Sequence, residues 1–428
     1  MLKLLVIFVI ITSTACYAEI MEPRQKQLDS FVTNLPRDYV RDLDSAHYYM
    51  NREGRNNEER VFMFYGFFGI HFKYDHNRAV QKQDVKEYSP YYTCRKRSGV
   101  CRDFCVLINI FPPTYKTIIM PKMNLDRSVV IDADINKVYE NINDFHNWKS
   151  WSPWLVLDPD ALVNVREDGK YYNWEGKYLG SGEMTVIKEV ENKSLDADLL
   201  FLKPWKSKAK IGFTLDQTDE GVRVVWKMES SLPFFMFWMK KMMISLISMD
   251  YDRGLTMVKD KCELGEIPSN MTFEGIKSFK GCKYIGIKSS STIDGMSASM
   301  EKNYTQLMTY MMDGRQENMD GSPMSIYHKW DMVNRQADYT ACIPVHEIPA
   351  DLPEGMITGS VPATKVHSIH IKGPYRYIGN VWSAQYSRMR GKAFKGNKQI
   401  HPMEVYFNSP KNTAENDLET EVWFSVKE

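Results

Sequence analysis

Residues 420–426 read as a strand in which a carboxylate stands among aromatic and aliphatic residues. Side chains alternate between the two faces of a strand, so Glu421 shares a face with Trp423 and Ser425. A carboxylate on an aromatic face either lies at a solvated rim or lines a pocket that takes a cation or a polar ligand. A bound cation would gain charge pairing and ring contacts, the latter worth roughly 0.5–2 kcal/mol. We therefore predict that Glu421 pairs with a ligand charge.

Aromatic residues of the same part of the chain are the predicted walls of that pocket. For each ring the alternative is ordinary core packing, and for Glu421 the alternative is a solvated strand end. The predicted ligand-contacting set is Glu421, Tyr327, Trp382, Tyr386, Tyr406 and Trp423.

A second side chain that could act in catalysis is the thiol of Cys101, in the run 97–104. A helix start there, with basic neighbours, would favour the thiolate. These residues resemble the transglutaminase-like superfamily of papain-type thiol enzymes, which implies Cys101 as nucleophile. Such a thiol needs a His base oriented by Asp or Asn, and the next histidine, His146, belongs to a different motif. We interpret 19–110 as a truncated segment that carries a candidate thiol without its partners. A structural or disulfide-bonded Cys101 is the alternative.

An internal repeat positions Glu421. Residues 323–327 (Pro-Met-Ser-Ile-Tyr) are echoed by residues 402–406 (Pro-Met-Glu-Val-Tyr), and each run is followed by a second strand, at 339–345 and 420–426. A spacing of roughly 80 residues indicates a duplicated half-domain. In this alignment Glu421 falls opposite Thr340, as expected for one asymmetric pocket.

The repeat defines a predicted domain, 271–428, after a short linker at 268–271. Each half reads as strand, helix and two strands. The predicted first strands and helices are 280–289, 296–312, 363–372 and 377–391.

At residues 370–375, 402–406 and 420–423 this domain resembles the gyrase-inhibitor-like effector-binding domain of AraC-type and multidrug-sensing regulators. The resemblance implies a groove between two pseudo-symmetric halves that takes aromatic, often cationic, small molecules, with Glu421 as their partner. Some relatives hydrolyse electrophilic small molecules, which implies an alternative in which Glu421 is a general base. No helix-turn-helix precedes the domain, so a regulator role is not supported.

Residues 122–262 are predicted as another domain. A strand at 127–133, a helix at 135–145, the run 148–154 with three tryptophans, and a long apolar helix at 234–262 follow one another. They resemble the START-like superfamily, also called SRPBCC or polyketide-cyclase-like. The resemblance implies a helix-grip fold in which the long helix roofs an antiparallel sheet and a cavity for apolar ligands. A filled core is the alternative, and no residue set here supports catalysis.

Composition narrows the function classes. The 428 residues carry 55 basic and 54 acidic side chains, a net charge of +1, which gives no argument for a nucleic-acid partner. The chain shows no zinc-type ligand spacing and no phosphate-binding glycine loop, so we expect no metal and no cofactor. Residues 1–18 resemble a secretory signal, with a lipid anchor at Cys16 as the alternative. We therefore expect a secreted or cell-envelope protein, without a stable membrane span.

The sequence thus predicts an α+β protein with a helix-grip antiparallel sheet followed by a duplicated strand-helix-strand-strand domain. The predicted function is non-catalytic binding of hydrophobic or cationic small molecules. The alternatives are a hydrolase that uses Glu421 and a transglutaminase-like thiol enzyme that uses Cys101. A fusion of unrelated segments near 108–123 would also explain the change of family there.

Overall fold

A computed structural model describes residues 122–427, with the exception of 205 and 233. These residues belong to one compact unit, 120–428. The predicted signal segment 1–18 and the thiol-enzyme-like segment 19–110, including Cys101, lie outside the described residues. In the described part of the chain, no helix is long and apolar enough to cross a bilayer.

Seven antiparallel strands form the first sheet, in the order β1-β7-β6-β5-β4-β3-β2. The strands show the two-residue alternation that covers one face of a sheet: in β6, Ala209, Ile211 and Phe213 are buried while Lys208 and Lys210 are exposed. Their bounds are β1 Lys122–Ile131, β2 Leu162–Val165, β3 Tyr171–Gly176, β4 Gly180–Val190, β5 Ser194–Lys203, β6 Ser207–Thr218 and β7 Gly221–Ser231.

Helices cover the apolar face of this sheet. Helix α1 (Ile135–Asn143) begins at Asp134, whose carboxylate accepts a hydrogen bond from the Asn136 amide. A short helix α2 (Trp148–Trp151) follows, with 3₁₀ turns at Leu155–Leu157 and Phe234–Met239. The long helix α3 (Lys240–Leu264) ends at Gly265, whose φ of +85° is readily adopted only by glycine. The predicted helix-grip arrangement is therefore confirmed.

Aromatic rings fill the space between α3 and the sheet. Trp226 of β7 stacks on Phe213 at 4.9 Å and on Tyr251 of α3 at 3.9 Å between centroids. The indoles of Trp148 and Trp151 are buried against them and donate to backbone carbonyls of α1. Gly254 lets α3 approach closely, since a Cβ there would lie 2.8 Å from Trp226. These rings form a packed core.

The second sheet has eight strands in the order β12-β9-β11-β10-β14-β15-β13-β8. Its elements are β8 Asn270–Phe279, β9 Cys282–Thr292, α4 Met296–Met312, β10 Met324–Asp331, β11 Gln336–Val345, β12 Ile357–Val361, β13 Thr364–Lys372, α5 Ile378–Arg390, β14 Met403–Tyr406 and β15 Glu419–Ser425. The predicted duplicated order of strand, helix and two strands is confirmed, with β10 and β14 paired at the centre. Two edge strands were not predicted: β8, which begins inside the predicted linker, and β12.

Helix α5 connects the second sheet to the first domain. On one side, Gln385 bonds to the buried His367 ring and to the Val422 carbonyl. On another side, Arg388 donates to the Leu157 carbonyl at 2.7 Å. The two domains therefore share a hydrogen-bonded interface that runs along one helix.

Candidate ligand-binding site

The carboxylate at the centre of the aromatic cluster is Glu404 of β14, not Glu421. Glu404 pairs across the sheet with Val422 and with Ser325, so these side chains share one face. Phe424, two residues beyond Val422, packs against Trp382 and Tyr386 of α5. Glu404 therefore points to the helix-covered face of the second sheet.

Three uncharged donors hold the Glu404 carboxylate. The Tyr327 hydroxyl donates to Oε2 at 2.8 Å, the Tyr406 hydroxyl donates to the same oxygen at 2.5 Å, and the Trp382 indole donates to Oε1 at 2.5 Å. Only 4% of Glu404 is exposed. Burial raises its pKa above the ordinary value, and the hydrogen bonds from Tyr406, Trp382 and Tyr327 offset only part of that rise. The site thus contains a buried carboxyl group that accepts hydrogen bonds from three uncharged side chains.

Further aromatic side chains surround these donors, and several are half-buried. Trp330 stacks on Tyr327 at 5.0 Å and 11°, and its indole N–H is buried without a hydrogen-bond partner in the described part of the chain. Tyr304 of α4 and Tyr375 pack edge-on against Tyr406 at 5.7 and 5.8 Å. We call this set the Glu404 cleft: Tyr304, Tyr327, Trp330, Tyr375, Trp382, Glu404 and Tyr406.

Methionine side chains line the same cleft from α4. The thioether sulfur of Met296 lies 3.9 Å from the Tyr327 hydroxyl, and that of Met300 lies 3.8 Å from the Tyr406 hydroxyl. Thioethers are polarisable and adapt their conformation to a neighbouring ring or ligand. The cleft therefore combines rigid aromatic faces with two adaptable side chains.

Glu421 lies on the opposite face of the sheet. Its carboxylate accepts hydrogen bonds from Lys277 of β8, from Trp423 and, at 2.6 Å, from Ser368. Burial acts to raise the pKa of Glu421, but the bonds from Lys277, Ser368 and Trp423 outweigh it, and the pKa lies below its ordinary value. An internal cation already neutralises this carboxylate, so a ligand cation would have to displace Lys277. The predicted ligand role of Glu421 stays a prediction.

The predicted site residues therefore divide into two groups. Tyr327, Tyr406 and Trp382 meet around Glu404, and Tyr386 packs beside Trp382 at 6.2 Å between ring centroids. Trp423 stays with Glu421 on the other face. The predicted grouping of all five rings with Glu421 is wrong, because alternate residues of β15 face opposite sides and α5 covers the side of Val422 and Phe424.

Sequence reasoning missed Glu404 although the repeat contained the signal. In the aligned runs 323–327 and 402–406, Glu404 stands where the first half has Ser325. Tyr406 likewise stands where the first half has Tyr327. The substitution of serine by glutamate between two otherwise similar strands marks the charged half of an asymmetric site.

Comparisons with known protein families assign the first sheet with its helices and the second sheet with its helices to two different families. Residues 122–263 match the family model for polyketide cyclase / dehydrase and lipid transport, and residues 276–427 match that of the GyrI-like small molecule binding domain. The chain therefore carries a START-like and a GyrI-like domain in that order. Both matches support small-molecule binding as the class of function.

Solved structures show similarity to parts of the chain. EcmrR in its complex with DNA is 15% identical, over 44% of this chain and 68% of that chain, with a TM-score of 0.32. SAV2435 bound to tetraphenylphosphonium is 11% identical, over 36% and 94%, with a TM-score of 0.30. The Aha1 dimer from Colwellia psychrerythraea is 19% identical, over 33% and 98%, with a TM-score of 0.26. No curated protein matches the sequence.

Proposed function

We propose that the Glu404 cleft binds a small lipophilic cation with aromatic or alkyl substituents. The observation that carries this proposal is the buried Glu404 carboxyl, held by two phenols and an indole among further aromatic rings. Its chemistry favours a positive charge with an apolar surface over an anion or a strongly hydrated ion.

The charge argument rests on desolvation. An ionised carboxylate away from water is costly unless it is paired, and the raised pKa of Glu404 reflects that cost. Neutral hydrogen-bond donors reduce the cost without cancelling the charge. A ligand cation beside Glu404 would cancel it, and would lower the pKa of the carboxyl on binding.

The aromatic argument rests on ring faces. A cation within about 6 Å of a ring centroid is attracted by the ring quadrupole, most strongly for Trp. Trp330, Tyr304 and Tyr406 are half-buried residues beside the buried carboxyl. An ammonium or phosphonium carrying apolar substituents would meet a charge partner and several ring faces together.

Binding of tetraphenylphosphonium is expected to strengthen with pH. Only the ionised carboxylate pairs with the cation, so affinity should rise about tenfold per pH unit below the pKa of Glu404 in the free protein and level off above it. The phenols that face Glu404, from Tyr304, Tyr327, Tyr375 and Tyr406, stay neutral there because burial raises their pKa values, that of Tyr375 to about 12. Calorimetric titration between about pH 4 and 8 measures this.

The matched control is tetraphenylborate, an anion of the same shape. It should bind weakly at every pH, because its charge repels the ionised Glu404. Equal affinity for both ions, or an affinity for the cation that does not change with pH, would contradict the proposal.

The raised pKa of Glu404 also makes the stability of the ligand-free protein depend on pH. Burial raises this pKa in the folded state above its ordinary value in the unfolded chain. The free energy of unfolding should therefore fall as the pH rises from the ordinary pKa to the raised one.

A further inference from the structure

The beginning of helix α3 exposes apolar side chains on a second side of the helix. Met243, Ile244 and Ile247 pack against the core of the first domain. Met242 and Leu246 are four residues apart on a different line of the α3 surface, and Trp238 lies in the 3₁₀ turn that leads into α3. Trp238 is 47% exposed and Leu246 36% exposed, and the neighbouring Phe237 is 37% exposed. A surface helix of a globular protein normally has one apolar side.

Lysines accompany this exposed apolar line. Lys240 and Lys241 follow Trp238 after one methionine, and in the described part of the chain neither lies within ion-pair distance of a carboxylate. A helix that combines Trp, Phe and Leu with lysines at its border resembles segments that lie in the interface of a membrane. Aromatic side chains prefer that depth because one end is apolar and the other is polar.

The β5–β6 hairpin extends this surface. Ser207 and Phe201 are paired at its end, and Ser230, near the end of β7, bonds to the Lys208 carbonyl. Since β7 leads directly into the Phe234–Met239 turn, the hairpin and the start of α3 leave the sheet at the same end. Leu202 of this hairpin is 44% exposed, and Lys206 and Lys208 are exposed beside it.

Charge decides which partner fits. A two-fold dimer over this surface would place Lys240 and Lys241 of one copy close to the same residues of the other, which is unfavourable. An anionic lipid surface is complementary, because each lysine near it contributes attraction while the apolar side chains enter the acyl boundary. We propose that residues 237–246 and the β5–β6 hairpin dock the first domain onto an anionic phospholipid surface.

The test is co-sedimentation of the full chain with vesicles. One set is phosphatidylcholine alone and the other contains about one-third phosphatidylglycerol. The unchanged protein should bind the anionic vesicles and bind them less at high salt. The variants Phe237→Ala/Trp238→Ala and Lys240→Glu/Lys241→Glu should each lower the partition coefficient at least about tenfold.

Matched controls come from the β4–β5 hairpin at the other end of the sheet. Ile187→Ala/Val190→Ala removes comparably exposed apolar side chains, and Lys188→Glu/Lys193→Glu reverses two exposed lysines. Both controls should bind vesicles as the unchanged protein does. The assignment is overturned if the protein binds neither vesicle set, or if the test variants bind like the controls. It is also overturned if sedimentation velocity shows a dimer that Phe237→Ala/Trp238→Ala abolishes.

Discussion

Glu404→Gln is expected to weaken binding of tetraphenylphosphonium about 30-fold, which corresponds to about 2 kcal/mol. Glutamine keeps the size of the side chain and an oxygen that accepts from Tyr327 and Tyr406, but its amide nitrogen would face the Trp382 indole N–H and cannot accept from it. Most of the loss should come from the missing negative charge and the rest from the lost Trp382 hydrogen bond, and the dependence of affinity on pH should disappear with the charge. Isothermal titration of both proteins at neutral pH measures the difference.

Glu421→Gln is the matched control, since it makes the same chemical change on the neighbouring strand but on the opposite face of the sheet. It removes the charge that pairs with Lys277 and should lower the free energy of unfolding by about 1 kcal/mol. Affinity for the cation should stay within about two-fold, because Glu421 does not reach the cleft. If Glu421→Gln weakens binding and Glu404→Gln does not, the ligand occupies the other face.

Arg388→Ala is expected to lower the free energy of unfolding by about 3 kcal/mol. Arg388 is 7% exposed, and its guanidinium lies 3.5 Å above the Phe273 ring centroid and 4.8 Å from that of Tyr178. Removing it would leave a cavity between these rings and deprive the Leu157 carbonyl of its donor. Burial lowers the pKa of Arg388, so part of the loss is offset by the desolvation cost that disappears with the charge.

Arg390→Ala provides the control for this interface. Arg390 is in the same last turn of α5 but is exposed, so its removal should change stability by less than about 0.5 kcal/mol. Urea unfolding followed by tryptophan fluorescence and by circular dichroism measures both variants. Equal midpoints for the two variants would mean that Arg388 does not stabilise the contact between the domains.

The repeat made most of the second domain predictable. Similar runs at 323–327 and 402–406, each followed by a second strand, indicated two copies of one unit, and the helices at Met296–Met312 and Ile378–Arg390 follow that order. In the first domain, the order of a strand, a helix, a tryptophan-rich run and a long apolar helix resembled the START-like superfamily, and that resemblance implied an antiparallel sheet with a helix across it. The first prediction came from an internal repeat and the second from a resemblance, and both use features that a single sequence displays.

The face of the sheet that the helices cover was not predictable in the same way. Alternation along β15 separates Glu421 from Val422 and Phe424, but both sets include apolar residues, so periodicity alone does not show which set faces α5. Glu404 stands in a strand of only four residues between Met403 and Val405, where its burial has no local signal. The register between β14, β10 and β15 places it beside Tyr327.

The partner of Glu421 was hidden for a related reason. Lys277 is on β8, an edge strand that begins in a stretch predicted as a linker. Long-range strand pairing brings it to Glu421, 144 residues further along the chain. Without that strand, Glu421 looked like a carboxylate available to a ligand.

Diffraction from crystals of the protein with tetraphenylarsonium tests the central claim most directly, because the arsenic atom gives an anomalous signal that locates the cation without ambiguity. The account predicts a peak on the helix-covered face of the second sheet, within about 6 Å of the ring centroids that surround Glu404. A peak beside Glu421 and Lys277 on the opposite face, or within the first domain, would contradict it.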